Sequence, residues 1–379
     1  MSLLSRDNGP PLRVLVVTPL GEGGAGGIDR VVDQLRVVDV QRPNVRLRFA
    51  VSRGANILGS LYNLPFAAAQ IVIGALTRQV DVVHLNLASN SSAYRKFLLS
   101  CACRTVGLPY VIHLHGGGFD KFWWALPPAG KRAIDSFFRH AGAIIVLGET
   151  SRDMVVGHLP EVAESIFIVP NATQRRSKAT GSGPTPNVLF LGRLGKNKGV
   201  PDLLQALARL PAGVACTATL AGDGDVEVTM QQARALGLSE RVSIPGWVGP
   251  GEVERLIDKA DILVLPSYEE NLPMSVIEGM AAGLAVIATP VGATEDVIKH
   301  EVTGLLVTPG HIAGIQSALE RLLRDANLRE KLGRAAQEFH HERLDVAGYI
   351  DRLSRPWSYA ATRHPAERQP SKTRPASGH

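Results

Sequence analysis

Glu270 and Glu278 stand at either end of a short run within PSYEENLPMSVIEGMAAGLAVIATPVG, residues 266–292, with seven residues between them. Asn271-Leu272-Pro273 predicts a helix start, whose first backbone amides have no intrahelical partner and favour negative charge. One carboxylate then lies at a loop mouth and the other two turns down the helix. A second group stands in HLHGGGFDKF, residues 113–122, where His115 precedes three glycines directly after an apolar strand, residues 110–114. A histidine on flexible backbone at the carboxyl edge of an α/β sheet is placed to meet a ligand.

HGGG is also the run that supplies an oxyanion-hole amide in esterases, but that chemistry needs a serine nucleophile on a G-x-S-x-G elbow. No serine in the chain has glycines two places to both sides. Gly21, Gly23 and Gly26 match G-x-G-x-x-G after the first strand, and Arg53 could suit a 2′-phosphate, yet no acid ends the second strand to hold a ribose. The surviving inference is that glycines at a helix start let amides approach an anion. Asp223 and Asp225 in AGDGD resemble a D-x-D cation-binding pair, but they follow a strand directly and read as ordinary turn chemistry.

The elements that must position these residues follow from composition and rhythm. The chain has 379 residues, 45% hydrophobic and 20% charged, enough for two domains and large cores. In the last 28 residues six basic side chains against Glu367 account for +5 of the +6 net charge, so the body is nearly neutral and nucleic-acid binding is not indicated. Cys101, Cys103 and Cys216 lack the second pair a zinc site requires and read as reduced thiols in cytoplasm. The N-terminus MSLLSRDNGPP has no apolar core of a secretory signal. Residues 55–77 carry no charge and are long enough to span a bilayer; the expectation is a buried helix or two, with peripheral contact with the inner leaflet left open.

Short β-branched runs alternate with helical stretches from residue 12 onward, which predicts parallel sheets with crossover helices. The organisation expected is an α/β fold: a Rossmann-like domain over residues 1–170, a polar linker over 171–186, and a second Rossmann-like domain over 187–345. A final helix is expected over 346–360 and a disordered basic tail over 361–379. Two doubly wound domains so joined should face a cleft.

Five segments in order resemble the retaining glycosyltransferases of GT-B fold known as family 4. They are Gly26-Gly27-Ile28-Asp29-Arg30, His115-Gly116, Pro170-Asn171, Leu191-Gly192-Arg193-Leu194 with Lys198-Gly199, and the Glu270/Glu278 pair. Ala172 stands where that family usually has glycine. The resemblance spans residues 12–350. It implies sugar transfer from a nucleoside-diphosphate sugar without a metal or other cofactor. Arg193, Lys198 and the amides of Gly26, Gly27, Asn271 and Leu272 would hold the diphosphate, and Glu278 the ribose. Glu270 would lie at the donor sugar and His115 would bond sugar or phosphate. Gly116 and Asp120 would be acceptor-side, with Glu269 and His113 as lesser candidates. The implied partners are a nucleotide-sugar donor and a saccharide or lipid-linked acceptor in bacterial polysaccharide or glycoconjugate synthesis, at the cytoplasmic face of the membrane. A nucleotide-sugar 2-epimerase and a non-catalytic scaffold are the rival readings; the E-x7-E and GRL…KG combination favours transfer, and no key residue is missing. Donor base, sugar and acceptor are not legible in the residues.

Overall fold

The structure, a computed structural model, describes residues 10–22, 26–39, 44–54, 57–181 and 183–362. Gly23, the amino-terminal nine residues, residues 55–56 and residues 363–379 of the expected tail lie outside the described residues.

Two six-stranded sheets account for the strand rhythm. The first comprises β1 (Leu12–Thr18), β2 (Val45–Val51), β3 (Val82–Leu87), β4 (Tyr110–Leu114), β5 (Ala143–Val146) and β6 (Ile166–Ile168). The second comprises β7 (Asn187–Leu191), β8 (Thr217–Ala221), β9 (Val242–Gly246), β10 (Ile262–Leu265), β11 (Ala285–Ala288) and β12 (Leu305–Leu306). All pairings are parallel, in the orders β2-β1-β3-β4-β5-β6 and β12-β11-β10-β7-β8-β9. Central strands such as VVHLNL and ILVL are buried at every position, as a parallel sheet covered on both faces requires. Strand order reverses between β1 and β3 in one sheet and between β7 and β10 in the other, and a crevice for ligands opens at the carboxyl end of such a reversal.

By contact the chain divides into two units. The first holds residues up to Val146, Ser151–Val169 and the chain from Ile350; the second holds Leu147–Thr150 and Pro170–Tyr349. The final helix runs Val346–Thr362, so Ala361 and Thr362, expected in the tail, are helical. Its carboxyl-terminal part belongs to the first unit, where Trp357 is fully buried. Residues 171–186, expected as a loose linker, are instead tied to the second unit: Thr173 N donates to Leu344 O, Ala179 N to Ala282 O, and Arg175 is paired with Asp345 at 2.7 Å. Polar composition had suggested freedom, but these contacts fasten the segment to its own unit at Thr173, Arg175 and Ala179.

Four helices of the first unit bear on function: α1 (Gly27–Asp39), α2 (Ile57–Leu76), α3 (Ser91–Thr105) and α4 (Phe119–Trp124). The uncharged stretch forms one helix, α2, and only one side of it is buried, through Ala67 and Ile71. The expectation of a wholly buried element is therefore corrected.

Candidate active site

In the second unit the loops after β7 and β10 meet at the strand reversal. Gly199 makes the meeting possible: its φ is +69°, and a Cβ there would lie 2.1 Å from Pro266 O. Tyr268 N donates to Asn197 O at 2.9 Å, which ties the two loops together. Their side chains then converge, with the Lys198 ammonium ion-paired to the Glu270 carboxylate. Ser267 Oγ donates to the same carboxylate oxygen at 3.0 Å, and Thr289 Oγ1 holds Ser267 O at 2.6 Å.

The loop carrying Glu270 is braced from two further sides. Gly292, at φ +60°, lets the turn after β11 close on it; a Cβ there would stand 2.4 Å from Asn271 O. Asn171 is buried, and its Nδ2 donates to Leu272 O at 3.0 Å. Asn271 and Leu272 are buried just before the Met274–Ala281 helix, and Glu278 is half-buried on that helix. Arg193 follows β7, but its guanidinium is bonded to Asp223 at 3.2 Å, with both side chains exposed, a pairing worth little in water.

In the first unit His115 follows β4, and its Nε2 lies 2.8 Å from Asn86 Oδ1 at the end of β3. Asn86 is oriented by the bond from its Nδ2 to Val17 O, so its Oδ1 must accept, and His115 must carry its proton on Nε2. Behind it, Trp357 Nε1 donates to His84 Nδ1 at 2.9 Å, which leaves the His84 proton on Nε2, 3.2 Å from His113 Nδ1 and 3.3 Å from Asn86 Oδ1. Burial lowers the His84 pKa to about 4 despite the Asn86 hydrogen bond. Burial likewise holds His113 well below its ordinary value, with His115 and His84 adding to the effect. Gly116 packs where a Cβ would meet Ala88 Cα and Ser89 N at 3.0 Å. Asp29, buried at the start of α1, accepts from Thr18 Oγ1 and from the amides of Leu20 and Gly21, tying α1 to the residues directly after β1. Asp120 is bonded to His158 at 2.9 Å.

Against this geometry, comparison with known proteins is decisive. Residues 10–172 match the model of the glycosyl transferase 4-like domain and residues 173–339 that of glycosyl transferases group 1. The chain belongs to the group 1 glycosyltransferases. Relatives include the 2-deoxystreptamine glucosyltransferase of Streptomyces kanamyceticus, 28% identical over 86% of this chain and 90% of the relative, and the alpha-D-kanosaminyltransferase of the same organism, 27% identical over 70% and 74%. The crystal structure of Anabaena HepE with UDP-glucose superposes with a TM-score of 0.72, at 19% identity, covering 92% of this chain and 99% of the other.

This group 1 glycosyltransferase therefore has the GT-B fold and is a glycosyl-transferring enzyme. The epimerase and scaffold alternatives are not favoured, since the relatives are named as transferases. Of the residues singled out in the sequence, the fold brings Lys198, Glu270, Asn271 and Leu272 into one loop cluster, with Glu278 on the helix that follows. It gives Arg193 a different immediate partner. Four positioning residues of the transferase were missed as such: Asn171, Ser267, Asn86 and Asp29. Three of them carried a signal, because His84 and Asn86 are polar at alternate positions in the otherwise apolar VVHLNL, and Asn171 and Asp29 fall within quoted motifs; Ser267 carried none.

The buried histidines make a pH dependence calculable in sign. His84 is neutral in the folded state down to pH of about 4. The unfolded chain takes up that proton near its ordinary value of about 6.5. Between these limits the unfolded state binds more protons, so stability is complete above pH 6.5 and falls as pH drops toward 4. His84 alone accounts for roughly 3 kcal/mol over that window. Calorimetric Tm should decline steadily from pH 7 to 4.5, before most carboxylates protonate. A flat Tm across this range would contradict the buried neutral network.

Proposed function

We propose that the transferase binds a UDP-sugar at the β7/β10 reversal and passes the sugar, with retained anomeric configuration and without a metal, to a saccharide or lipid-linked acceptor. The observation that carries this reading is the convergence of Lys198 and Glu270, residues 72 positions apart in the chain, on one cluster of loops at the place where a doubly wound sheet binds ligands. The UDP-glucose bound by HepE supports the choice of donor base.

In this reading the diphosphate takes the Lys198 ammonium into its own coordination, with Arg193 turning from Asp223 to join it. The amides of Asn271 and Leu272 complete a cradle for negative charge in the second unit, and those of Gly26 and Gly27 in the first are assigned the same role toward the diphosphate. Glu278 accepts the ribose hydroxyls. Glu270, released from Lys198, faces the sugar hydroxyls, and His115, whose Nε2 donates to Asn86, accepts from a sugar hydroxyl at Nδ1. The bond from sugar C1 to the β-phosphate oxygen breaks, the acceptor oxygen bonds C1 on the same face, and the acceptor proton passes to the departing phosphate oxygen. Cations placed where that oxygen gains charge lower the barrier. Gly116 and Asp120 stand on the acceptor side. The setting is bacterial polysaccharide or glycoconjugate synthesis at the cytoplasmic face of the membrane, a reading supported by the apolar outer side of α2.

A thermal-shift screen of UDP-, GDP- and ADP-sugars in the presence of excess chelator tests the donor site. A bound donor at 100 times its Kd adds about 2.7 kcal/mol to stability. Stabilisation by a UDP-sugar under chelation is the expected result. Stabilisation that appears only after Mg²⁺ or Mn²⁺ is restored would contradict the cationic cradle.

A further inference from the structure

A helix apolar on every side is ordinarily buried on every side. α2 has no charged residue from end to end, yet Leu61, Tyr62, Phe66, Ile73 and Leu76 are between 59% and 79% exposed. At 100° per residue these five fall within an arc of about 140°, opposite the buried Ala67 and Ile71. The apolar surface continues beyond α2. α3 packs beside it and exposes Tyr94 and Leu98, one turn apart. The Tyr94 ring meets Phe122 of α4 edge-on at 6.1 Å, and the neighbouring Trp124 is 63% exposed, with the Lys131 ammonium 4.2 Å from its ring centre.

The charges flanking α2 and α3 are mainly cationic. From residue 52 to residue 119 the sequence holds Arg53, Arg78, Arg95 and Arg104, with Lys96 wholly buried, against Asp81 alone, and the next acid, Asp120 of α4, is engaged by His158 at 2.9 Å. Asp81 is already engaged by Arg13 at 2.6 and 2.9 Å. Arg53 precedes α2, Arg78 follows it directly, and Arg95 and Arg104 stand near either end of α3. Mutual repulsion contributes here, since Arg53 lowers the pKa of Arg95 beyond the effect of burial. An apolar strip carrying exposed Tyr and Trp and bracketed by unmatched cations fits the boundary between acyl chains and phosphate headgroups. A second copy of the chain fits poorly: two-fold pairing lays a surface on itself and would set these cations against their equivalents.

We propose that the outer faces of α2, α3 and α4 form a docking surface for a bilayer containing anionic phospholipid. Aromatic and aliphatic side chains enter the headgroup boundary while Arg78 and Arg95 meet lipid phosphates. This deepens the membrane setting given under the proposed function by naming its surface. It does not depend on donor chemistry, and the two can fail separately.

Co-sedimentation of the full chain with vesicles of phosphatidylcholine, with and without phosphatidylglycerol, tests it in the absence of donor. Binding should require phosphatidylglycerol. The double variant Leu61→Ser/Phe66→Ser should partition at least tenfold less, and Arg78→Gln and Arg95→Gln should each weaken partition about fivefold, the loss expected for one cation at an anionic surface. Stabilisation by donor, measured on the same preparations, should be unchanged in Leu61→Ser/Phe66→Ser, which separates loss of docking from loss of fold. Equal partition of wild type and that variant overturns the proposal. So does a wild-type dimer, seen by light scattering, that the variant dissolves while neither protein binds vesicles.

Discussion

Glu270→Ala should lower kcat by about 100-fold or more, the scale observed when one preorganised electrostatic group is removed. Donor affinity should change little. The reason lies in what the carboxylate touches. Ser267 points at it and keeps doing so when Lys198 turns to the diphosphate, so its position is held from the loop side before and after donor binds. Thr289 and Gly292 hold the supporting backbone in turn. A group so restrained loses little entropy when charge develops on the sugar nearby, and its interaction is realised chiefly in the transition state. Steady-state rates at saturating donor check the prediction, because an effect on kcat at unchanged Kd marks an interaction absent from the ground state. Loss of the ion pair by itself should be tolerated, since Lys198 is not wholly buried and water can replace the carboxylate. Folding is thus expected to survive, and a fall in rate reports on chemistry.

Glu278→Ala should have the complementary signature. Its carboxylate stands on the Met274–Ala281 helix, behind the loop that carries Glu270, where the proposed contact is with ribose hydroxyls. Those hydroxyls are bonded alike before and during transfer, so the interaction is uniform binding and alters affinity rather than kcat. Charge-assisted hydrogen bonds of this kind contribute about 1.5 to 3 kcal/mol, so donor Kd should rise by about 10- to 150-fold. Isothermal calorimetry with the donor, or with its nucleoside diphosphate, measures this directly.

Much of the fold was legible because parallel strands buried on both faces leave near-continuous apolar runs, such as VLVV in β1 and ILVL in β10. The spacing of Glu270 and Glu278, the loop before their helix and the order of five motifs carried the family. What the sequence could not supply was pairing at long range. Nothing local says that Lys198 meets Glu270, that Asn171 reaches Leu272, 101 positions on, or that Trp357 donates to His84 from 273 positions away. Such contacts arise from which strands lie side by side, and strand order is set by packing across the whole sheet. The polar segment 171–186 shows the same limit: its composition indicated a linker, while its backbone bonds to Leu344 and Ala282 depend on partners far along the chain. α2 shows the converse case. Hydropathy identified an uncharged span, but only the packed structure reveals that one side of it stays exposed among the described residues.

The central claim is that one nucleotide-sugar site, built on the loops after β7 and β10, divides its work between two carboxylates. The most direct test measures donor Kd by calorimetry beside kcat for Glu270→Ala and Glu278→Ala in the same preparations. The account predicts near-normal Kd with kcat lowered about 100-fold for the first, and a Kd raised at least about tenfold with kcat little changed for the second. A Glu278→Ala enzyme that binds donor as tightly as wild type, or a Glu270→Ala enzyme that keeps its kcat, would contradict it.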